Sequence, residues 1–153
     1  MTAARKIATP DRAPAYTTEI PIRFQHCDPA GIVFYPRFFE FTNQTVEDWF
    51  AEGLSMPFAR LHGERGLGVP TVHIEADFLA PLRLGERALF SLYIDRQGRS
   101  ALDLTIVARR DGEDCLRARV TLAFVEMKRM RAVPIPDDLR ATIAAHESET
   151  AEI

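Results

Sequence analysis

Four successive stretches of alternating apolar and polar residues constrain the fold more than any other feature of the chain. They cover residues 72–78, 88–94, 102–108 and 116–124. A period of two places the apolar residues of each stretch on one face of an extended segment, so each stretch predicts a β-strand. Turn-like dipeptides such as Gln97-Gly98 and Asp111-Gly112 separate them. Because these connections are short, we expect an antiparallel meander.

A single helical stretch precedes these strands. From Pro36 to about Ala51 the apolar residues recur every three or four positions, which predicts an amphipathic helix. Pro36 suits the first helical position and Gly53 suits the C-terminal cap. The apolar stripe contains Phe38, Phe41 or Thr42, Thr45 and Trp49, widened by Phe39, Val46 and Phe50.

A further strand and a loop complete the predicted order of elements. Residues 18–24 alternate as a strand, with Pro21 indicating an edge or a bulge. Residues 54–68 contain several glycines and a proline and are predicted to be mostly loop. This order predicts an α+β fold in which a curved antiparallel sheet wraps around one long central helix. The opposite face of the sheet is expected to stay semi-polar, open to solvent or to another subunit.

The length of 153 residues indicates one domain. A chain of this size buries roughly 68–70% of its unfolded surface, so it needs no metal or disulfide to support a core. We expect a single domain over residues 17–140. Residues 1–16, rich in Ala, Arg, Pro and Thr, are predicted to be a flexible tail, and residues 141–153 a second tail or a short helical stub.

Composition excludes several classes of protein. The net charge of −3 and the pI of about 5.8 provide no basic excess for nucleic-acid binding. No window approaches the ~20 apolar residues that cross a bilayer, so no membrane partner is expected. Cys27 and Cys115 fit neither a disulfide framework nor a zinc site, and the four histidines show no metal-ligand spacing. We therefore expect a cytoplasmic protein without a metal.

The segment His26-Cys27-Asp28-Pro29-Ala30-Gly31-Ile32-Val33-Phe34-Tyr35-Pro36 is unusual for a connection. Asp, Pro and Gly at its third, fourth and sixth positions favour a type I turn, and turn formation alone is one interpretation of Asp28. The residues from Ile32 to Tyr35, including Phe34, are too apolar for an exposed loop, so the loop is expected to line or cover a pocket. The segment also brings a carboxylate close to the start of a helix.

This arrangement predicts acyl-transfer chemistry. Pro36 has no N–H, so Tyr35 carries the last free amide before the helix, and neighbouring amides are expected to point outward with it. Such an amide polarises a carbonyl, while the carboxylate attacks it or activates a water. A thiolate leaving group has a conjugate-acid pKa near ~8.5, judged from cysteine, and needs no dedicated general acid. The absence of a second catalytic partner therefore favours a thioester substrate.

The strings HCDPAGIVFYPRFF and GERGLGVPTVHIEADFLAPLRLGE closely resemble the 4-hydroxybenzoyl-CoA thioesterase family of hotdog-fold enzymes, over about residues 20–136. The resemblance implies that Asp28 is the catalytic carboxylate and that the Tyr35 N–H polarises the thioester carbonyl. It also implies that Gly31 is the turn glycine that lets the loop approach the acyl group. Homodimers, often paired into tetramers, with active sites at the subunit interface, are a further implication.

The sequence departs from the best-known aryl member of that family on the helix. Where that member has an Asp that binds the ring hydroxyl, this chain has Asn43. Glu40, Asn43 and Glu47 share one helical face, which is either a solvated stripe or part of the acyl pocket. An aromatic acyl group remains compatible with Asn43, whereas a 4-hydroxy group is not implied. Glu47 is a rival catalytic carboxylate, because another hotdog branch places its nucleophile on the helix.

Coenzyme A carries phosphates, so basic residues are expected at the mouth of such a site. Arg99 fits the nucleotide-binding neighbourhood of the family, and Lys128, Arg129 and Arg131 cluster after the last strand. A solvated charged rim is the alternative interpretation for each of them. No cofactor is expected, since coenzyme A is part of the substrate.

The sequence therefore predicts a thioesterase acting on an aromatic or short-to-medium acyl-CoA. Two alternatives remain open. One is a protein that binds acyl thioesters without hydrolysing them. The other is a hotdog dehydratase using His26 with Glu47, which the Asp28-Pro29-Ala30-Gly31 string fits poorly.

Overall fold

The structure is a computed structural model that describes residues 6–151, with side chains described for residues 6–147. Within these residues there are three helices and eight strands, with a 3₁₀ turn at Phe24–His26 and a π-helical turn at Trp49–Gly53. The elements are β1 (Tyr16–Pro21), α1 (Pro36–Asp48), α2 (Phe58–Gly63), β2 (Leu67–Gly68), β3 (Thr71–Phe78), β4 (Arg87–Gln97), β5 (Ala101–Arg110), β6 (Glu113–Ala123), β7 (Val125–Glu126), β8 (Arg131–Ala132) and α3 (Asp137–Ala151).

The main sheet has five strands in the order β1-β4-β5-β6-β3, and every neighbouring pair is antiparallel. The meander β4-β5-β6 follows from the two short turns predicted at Gly98 and Gly112. A second, smaller sheet of three short strands has the order β2-β7-β8. In the main sheet, the long connection carrying α1 and α2 lets β3 pair with β6 instead of with β1.

Helix α1 supplies the helical half of the hydrophobic core. Its buried residues include Phe38, Phe41, Thr45 and Val46, and the fully buried Trp49 continues the stripe into the π-helical turn. The inward residues of β4, β5 and β6 pack in the same core. One apolar helix face and one sheet face thus bury each other, as the two periodicities require. The predicted α+β hotdog architecture is confirmed.

Strand β3 is an exception to the predicted burial. Its apolar residues Val72, Ile74 and Phe78 are 61%, 37% and 48% exposed. The strand pairs with β6 on one side, and no strand of residues 6–151 pairs with its other side. An open edge with exposed apolar side chains is a surface suited to pairing with another strand.

The connection between α1 and β3 is more ordered than the predicted loop. It contains the short helix α2, whose six residues are too few to show a helical period in sequence. Pro57 precedes α2, and Leu61 fixes the helix to the core by complete burial. Phe58 of α2 contacts the buried Phe50 ring edge to face, with ring centroids 5.3 Å apart.

The N-terminal segment differs from the predicted flexible tail. Residues 6–15, here called the strap, cross the outer face of the sheet from β3 to β4. The Ile7 N–H donates to Asp77 Oδ2 (2.6 Å) and the Ile7 carbonyl accepts from Arg117 Nη1 (3.2 Å). Thr9 Oγ1 donates to Asp114 Oδ2 (2.6 Å), and Arg12 Nη2 donates to the Ile94 carbonyl (2.8 Å). Residues 1–5 of the predicted tail lie outside the described residues.

The outward residues of the central strands are correspondingly buried, which differs from the semi-polar open face predicted. Ser91, Tyr93, Thr105 and Val107 alternate with the core residues of β4 and β5, so they face outward, yet each is at most 4% exposed. The Arg12 guanidinium lies 5.7 Å from the centroid of the Tyr93 ring. The strap therefore covers the centre of this face.

The C-terminal segment is a helix packed on the domain. Leu139 and Ile143 of α3 are buried in the core, and Arg65 pairs with Asp138 through two hydrogen bonds of 2.7 and 2.9 Å. Part of the segment predicted as a second tail or a helical stub therefore lies within this helix. No helix in the described part of the chain is both long and apolar enough to span a membrane.

Candidate active site

The unusual segment between β1 and α1 forms a small hairpin. The Asp28 N–H donates to the Ile32 carbonyl (2.9 Å), and the Phe34 N–H donates to the His26 carbonyl (3.0 Å). The turn closes with the Gly31 N–H donating to the Asp28 carbonyl (2.9 Å), and Gly31 has φ = +80°. A glycine is favoured there because other residues are strained at this φ. The predicted turn and its glycine are therefore present.

The Asp28 side chain stabilises this turn and keeps one oxygen available. Its Oδ1 accepts the Ala30 N–H at 2.8 Å, as an aspartate at the first turn position does. Among the described residues, Oδ2 has no hydrogen-bond or ion-pair partner. Asp28 is half-buried, so the free oxygen is neither in bulk solvent nor enclosed. The turn interpretation and a catalytic role are therefore compatible.

Tyr35 occupies the N-cap of α1, with Pro36 at the first helical position. Its N–H donates to no acceptor within the described residues, whereas three neighbouring amides are bonded. The Arg37 N–H donates to the Phe34 carbonyl (2.8 Å) and the Phe38 N–H to the Tyr35 carbonyl (3.1 Å). The prediction that several amides are free at the helix start is wrong. Among the described amides there, the Tyr35 N–H is the free one, because turn hydrogen bonds engage its neighbours.

A cavity lies at the opposite end of β3, between α1, α2 and the small sheet. It has a volume of about 590 Å³. Its walls are mostly apolar, including Phe39, Val46, Phe58, Ile74, Met127 and Met130. Its polar side chains include Asn43 and Glu47, one helical turn apart on α1, and His62 of α2. An apolar cavity with a few polar groups is the usual form of a small-molecule site.

The polar groups of this cavity are not engaged elsewhere. No side-chain hydrogen bond or ion pair within residues 6–147 involves Asn43, Glu47 or the His62 ring. Glu40, on the same helical face, instead pairs with Arg37 at 3.0 Å outside the cavity. Of the three residues predicted to share this face, Asn43 and Glu47 therefore line the cavity and Glu40 belongs to a solvated ion pair.

The two groups of predicted site residues are separated within one chain. Asp28, Gly31, Phe34 and Tyr35 are not among the residues that line the cavity. The Tyr35 ring contacts Phe78 at the end of β3 (centroids 6.1 Å apart), while Thr71 and Ile74 at its beginning line the cavity. Phe34 is half exposed and contacts the Tyr35 ring. On α1, Asn43 follows Tyr35 by eight residues, which is roughly 12 Å along the helix axis.

Three of the four predicted phosphate-binding cations, Lys128, Arg129 and Arg131, are adjacent in sequence to the cavity residues Met127 and Met130. Lys128 and Arg129 occupy the turn between β7 and β8, flanked by the cavity residues Met127 and Met130. The Glu126 carboxylate accepts the N–H groups of Lys128 (3.0 Å) and Arg129 (3.2 Å) and so shapes this turn.

Arg131 begins β8, and the Arg99 carbonyl accepts the Ile135 N–H (2.8 Å) just beyond that strand. Arg99, Lys128, Arg129 and Arg131 are all exposed, and none of them forms an ion pair within the described residues. All four are thus accessible to an anionic ligand.

His26 is held away from the cavity. Its Nδ1 accepts the Arg23 N–H (2.8 Å), and its ring contacts Phe41 edge to face at 4.8 Å. Burial lowers the pKa of this imidazole below its ordinary value, and the neighbouring Arg37 lowers it further. His26 does not line the cavity with Glu47, so a single chain does not assemble the pair that a dehydratase would use.

The sequence gives no signal for three cavity residues. His62 and Phe58 depend on α2, which is too short for its period to be recognised, and Met130 depends on the turn after β7. Phe58 and His62 are four residues apart, so helical spacing would have paired them once a helix was assumed there.

Comparisons with known proteins agree with this fold. The Thioesterase-like superfamily matches residues 22–143, which confirms the resemblance noted in the sequence. The 1,4-dihydroxy-2-naphthoyl-CoA hydrolase of Thermosynechococcus vestitus is 26% identical over 132 residues, covering 86% of this chain and 90% of that protein.

Two solved structures share the fold. A 1,4-dihydroxy-2-naphthoyl-CoA thioesterase from Synechocystis superposes with a TM-score of 0.77 at 20% identity, covering 84% of this chain and 95% of that one. A gentisyl-coenzyme A thioesterase superposes with a TM-score of 0.75 at 22% identity, covering 82% and 99%.

Proposed function

The chain belongs to the thioesterase-like superfamily, and we propose that it hydrolyses aromatic acyl-CoA thioesters to the free acid and coenzyme A. The observation that carries this proposal is the pair of unused groups beside the start of α1: the Asp28 Oδ2 and the Tyr35 N–H. The relatives named for dihydroxynaphthoyl-CoA and gentisyl-CoA support an aromatic acyl group, and so do the apolar walls of the cavity.

The reaction that we propose needs water and these two groups. The Asp28 carboxylate takes a proton from water, and the hydroxyl oxygen bonds to the thioester carbon. The Tyr35 N–H stabilises the oxyanion that develops on the carbonyl oxygen. When the C–S bond breaks, the thiolate leaves and receives the proton from Asp28. Direct attack by Asp28, giving a mixed anhydride that water then hydrolyses, is the other route open to the same residues.

We propose that two copies of the chain complete each site. The free edge of β3 and its exposed apolar side chains favour antiparallel pairing with β3 of a second copy about a two-fold axis. Such pairing reverses the strand direction, so the Phe78 end of one β3 approaches the Thr71 end of the other. Asp28 and Tyr35 of one copy then approach the cavity lined by Asn43 and Glu47 of its partner. Gly31 and Phe34 would border the acyl group at this junction.

Coenzyme A is the leaving group in this scheme, so it is substrate and no further cofactor is used. The exposed cations Arg99, Lys128, Arg129 and Arg131 would contact its phosphates, and Met127 and Met130 would contact the methylene and methyl groups of its pantetheine arm. Cys27 and Cys115 are both free thiols, which supports a reducing, cytoplasmic location.

A subunit-mixing experiment tests the shared site. Asp28→Asn removes the catalytic carboxylate, and Asn43→Trp fills the cavity from an exposed helical position. Each variant alone should release no thiol from aromatic acyl-CoA above about 1% of wild type. When the two are co-expressed, half of the dimers are mixed and one of the two sites in each is intact. Activity should therefore return to about a quarter of wild type.

The activity of the co-expressed variants distinguishes a site shared by two copies from a site formed within one chain. If Asp28 served the cavity of its own chain, every site in a mixed dimer would carry one defect and no activity would return. The non-hydrolytic alternative makes a different prediction: wild type would gain thermal stability from acyl-CoA while no thiol appears from any substrate.

A further inference from the structure

One polar side chain of the cavity, His62, comes from α2 and not from α1. Its ring stacks on Phe58 with centroids 5.5 Å apart and an interplanar angle of 25°. Phe58 contacts the fully buried Phe50 ring at 5.3 Å. A chain of three rings thus connects the imidazole to the core and restricts its orientation.

The nitrogen atoms of this ring are not used by the protein. Only the backbone carbonyl of His62 is bonded, accepting the Gly66 N–H at 3.2 Å. In the part of the chain that the structure describes, neither Nδ1 nor Nε2 has a hydrogen-bond or ion-pair partner. An exposed imidazole that lines a cavity with mostly apolar walls and has both nitrogens free is suited to bind a polar group of a ligand.

We propose that His62 determines which acyl groups the site prefers, by hydrogen-bonding a hydroxyl substituent on an aromatic ring. This inference rests on the proposed function and adds the residue that distinguishes hydroxylated from unsubstituted rings. The planar stack of Phe58 and His62 provides one flat wall, and the imidazole edge provides the hydrogen bond. Asn43 and Glu47 lie on α1, so they approach the ligand from a different element.

The energetic reason is the asymmetry of hydrogen bonding in an apolar site. An unsubstituted aromatic ring that enters the cavity displaces water from the His62 imidazole and leaves its nitrogens without a hydrogen-bond partner. This loss weakens the binding of the unsubstituted acyl group. A hydroxylated ring replaces that partner. The preference therefore depends on the imidazole nitrogens, while the position of the ring depends on the stack with Phe58.

The test compares His62→Phe with His62→Gln. Phenylalanine keeps the stack on Phe58 and removes the nitrogens, and glutamine keeps a hydrogen-bonding group. The control is Arg60→Gln, which changes an exposed residue of α2 that does not line this cavity. Substrates are 1,4-dihydroxy-2-naphthoyl-CoA against 2-naphthoyl-CoA, and hydroxybenzoyl-CoA isomers against benzoyl-CoA.

The ratio of kcat/KM for hydroxylated over unsubstituted substrates should fall about tenfold in His62→Phe, as expected for one lost hydrogen bond. It should recover in part in His62→Gln and stay at the wild-type value in Arg60→Gln. A ratio within twofold of wild type in His62→Phe, with hydrolysis intact, would overturn the role of His62 and leave the thioesterase function standing.

Binding provides the readout if wild type releases no thiol from any substrate. Dissociation constants of the same acyl-CoA pairs for wild type and His62→Phe are then measured by calorimetry. A preference of wild type for the hydroxylated partner that His62→Phe loses supports the inference, and equal preferences in the two proteins refute it. The proposed hydrolysis fails in either case, so the two conclusions are separated.

Discussion

The backbone N–H of Ala30 donates a hydrogen bond to the carboxylate of Asp28 at 2.8 Å, two residues earlier in the chain. The same carboxylate leaves its second oxygen without a partner in the described structure. Asp28 thus fixes the shape of the turn with one oxygen while the other faces no protein group. An asparagine at this position would still accept the Ala30 N–H with its amide oxygen. It would have no second carboxylate oxygen to act as a base.

Asp28→Asn should therefore lower kcat for aromatic acyl-CoA hydrolysis at least ~100-fold without unfolding the protein. The expected change in KM is small, because the turn and the cavity stay in place. Thiol release gives the rates and a thermal melt checks the fold. Asp111→Asn, at an exposed turn residue far along the chain, is the control and should keep wild-type activity. Equal rates in Asp28→Asn and wild type would rule out the assigned chemistry.

Gly31→Ala should destabilise the protein by about 1–2 kcal/mol, because Gly31 has φ = +80° and a Cβ is strained in that region. A Cβ at this position would meet no atom within 4 Å, so the cost is conformational and not a clash. The distorted turn should also move Asp28 and lower kcat.

Gly63→Ala is the matched control for this substitution. Gly63 also has open space around it, but it lies in helix α2 without a positive φ. Alanine there should leave stability unchanged or raise it by up to about 1 kcal/mol. Urea unfolding of both variants measures the difference, and equal free energies of unfolding for the two would contradict the strain argument.

The docking of the strap should depend on pH through Asp114. Burial alone would raise the pKa of this carboxyl, but hydrogen bonds from Thr9, Arg109 and Arg117 outweigh it and lower the pKa below its ordinary value. A lowered pKa in the folded state means that Asp114 stabilises the protein above its unfolded pKa of ~3.9. That contribution is lost as the pH falls through the folded pKa.

Asp114→Asn should accordingly cost about 1–3 kcal/mol at pH 7, where the ionised carboxylate accepts three hydrogen bonds. The cost should begin to shrink as the pH falls below ~3.9, where the carboxyl is protonated in the unfolded chain, and should shrink further through the lower pKa of the folded protein. Free energies of unfolding in urea at several pH values give the comparison. Asp11→Asn, in the strap but exposed, should match wild type at every pH. A cost that did not change with pH would argue against ionisation of Asp114.

Arg129→Gln should raise KM for acyl-CoA several-fold and leave kcat unchanged, because an exposed phosphate contact contributes to binding and not to the reaction. Low salt should enlarge the effect and high salt should reduce it. The matching acyl-pantetheine, which lacks phosphates, should show the same KM with both proteins. Arg60→Gln, whose guanidinium pairs with Glu64, is the control. A rise in KM for the truncated substrate as well would indicate a disturbed cavity.

The fold was predictable where periodicity is strong. The inward residues of β4, β5 and β6 and the buried stripe of α1 follow directly from periods of two and 3.6 residues. The exposure of β3 was not predictable. Its alternating pattern predicts one apolar face, but the pattern is the same whether this chain or another one covers that face. Helix α2 and the strap were also not predictable from periodicity. Helix α2 has six residues, too few to show a helical period, and a single buried residue of the strap, Ile7, cannot define a period.

The site was predictable in its local chemistry and not in its assembly. Asp28, Gly31 and Tyr35 lie within eight residues of one another, so the rules for turns and helix starts place them in one segment. Asn43 and Glu47 follow from helical spacing. The separation of these two groups along β3, and the entry of His62 into the cavity, depend on how α2 and the edge strand pack, which no local pattern records.

The strap also has a consequence for the order in which the chain folds. Ile7 and Thr9 contact Arg117 and Asp114, more than a hundred positions later in the sequence. During synthesis this segment cannot complete its docking until β6 has left the ribosome, so we expect it to be among the last parts of the domain to become ordered. In a chain that ends before β6 is complete, the strap would therefore be undocked and accessible to proteases.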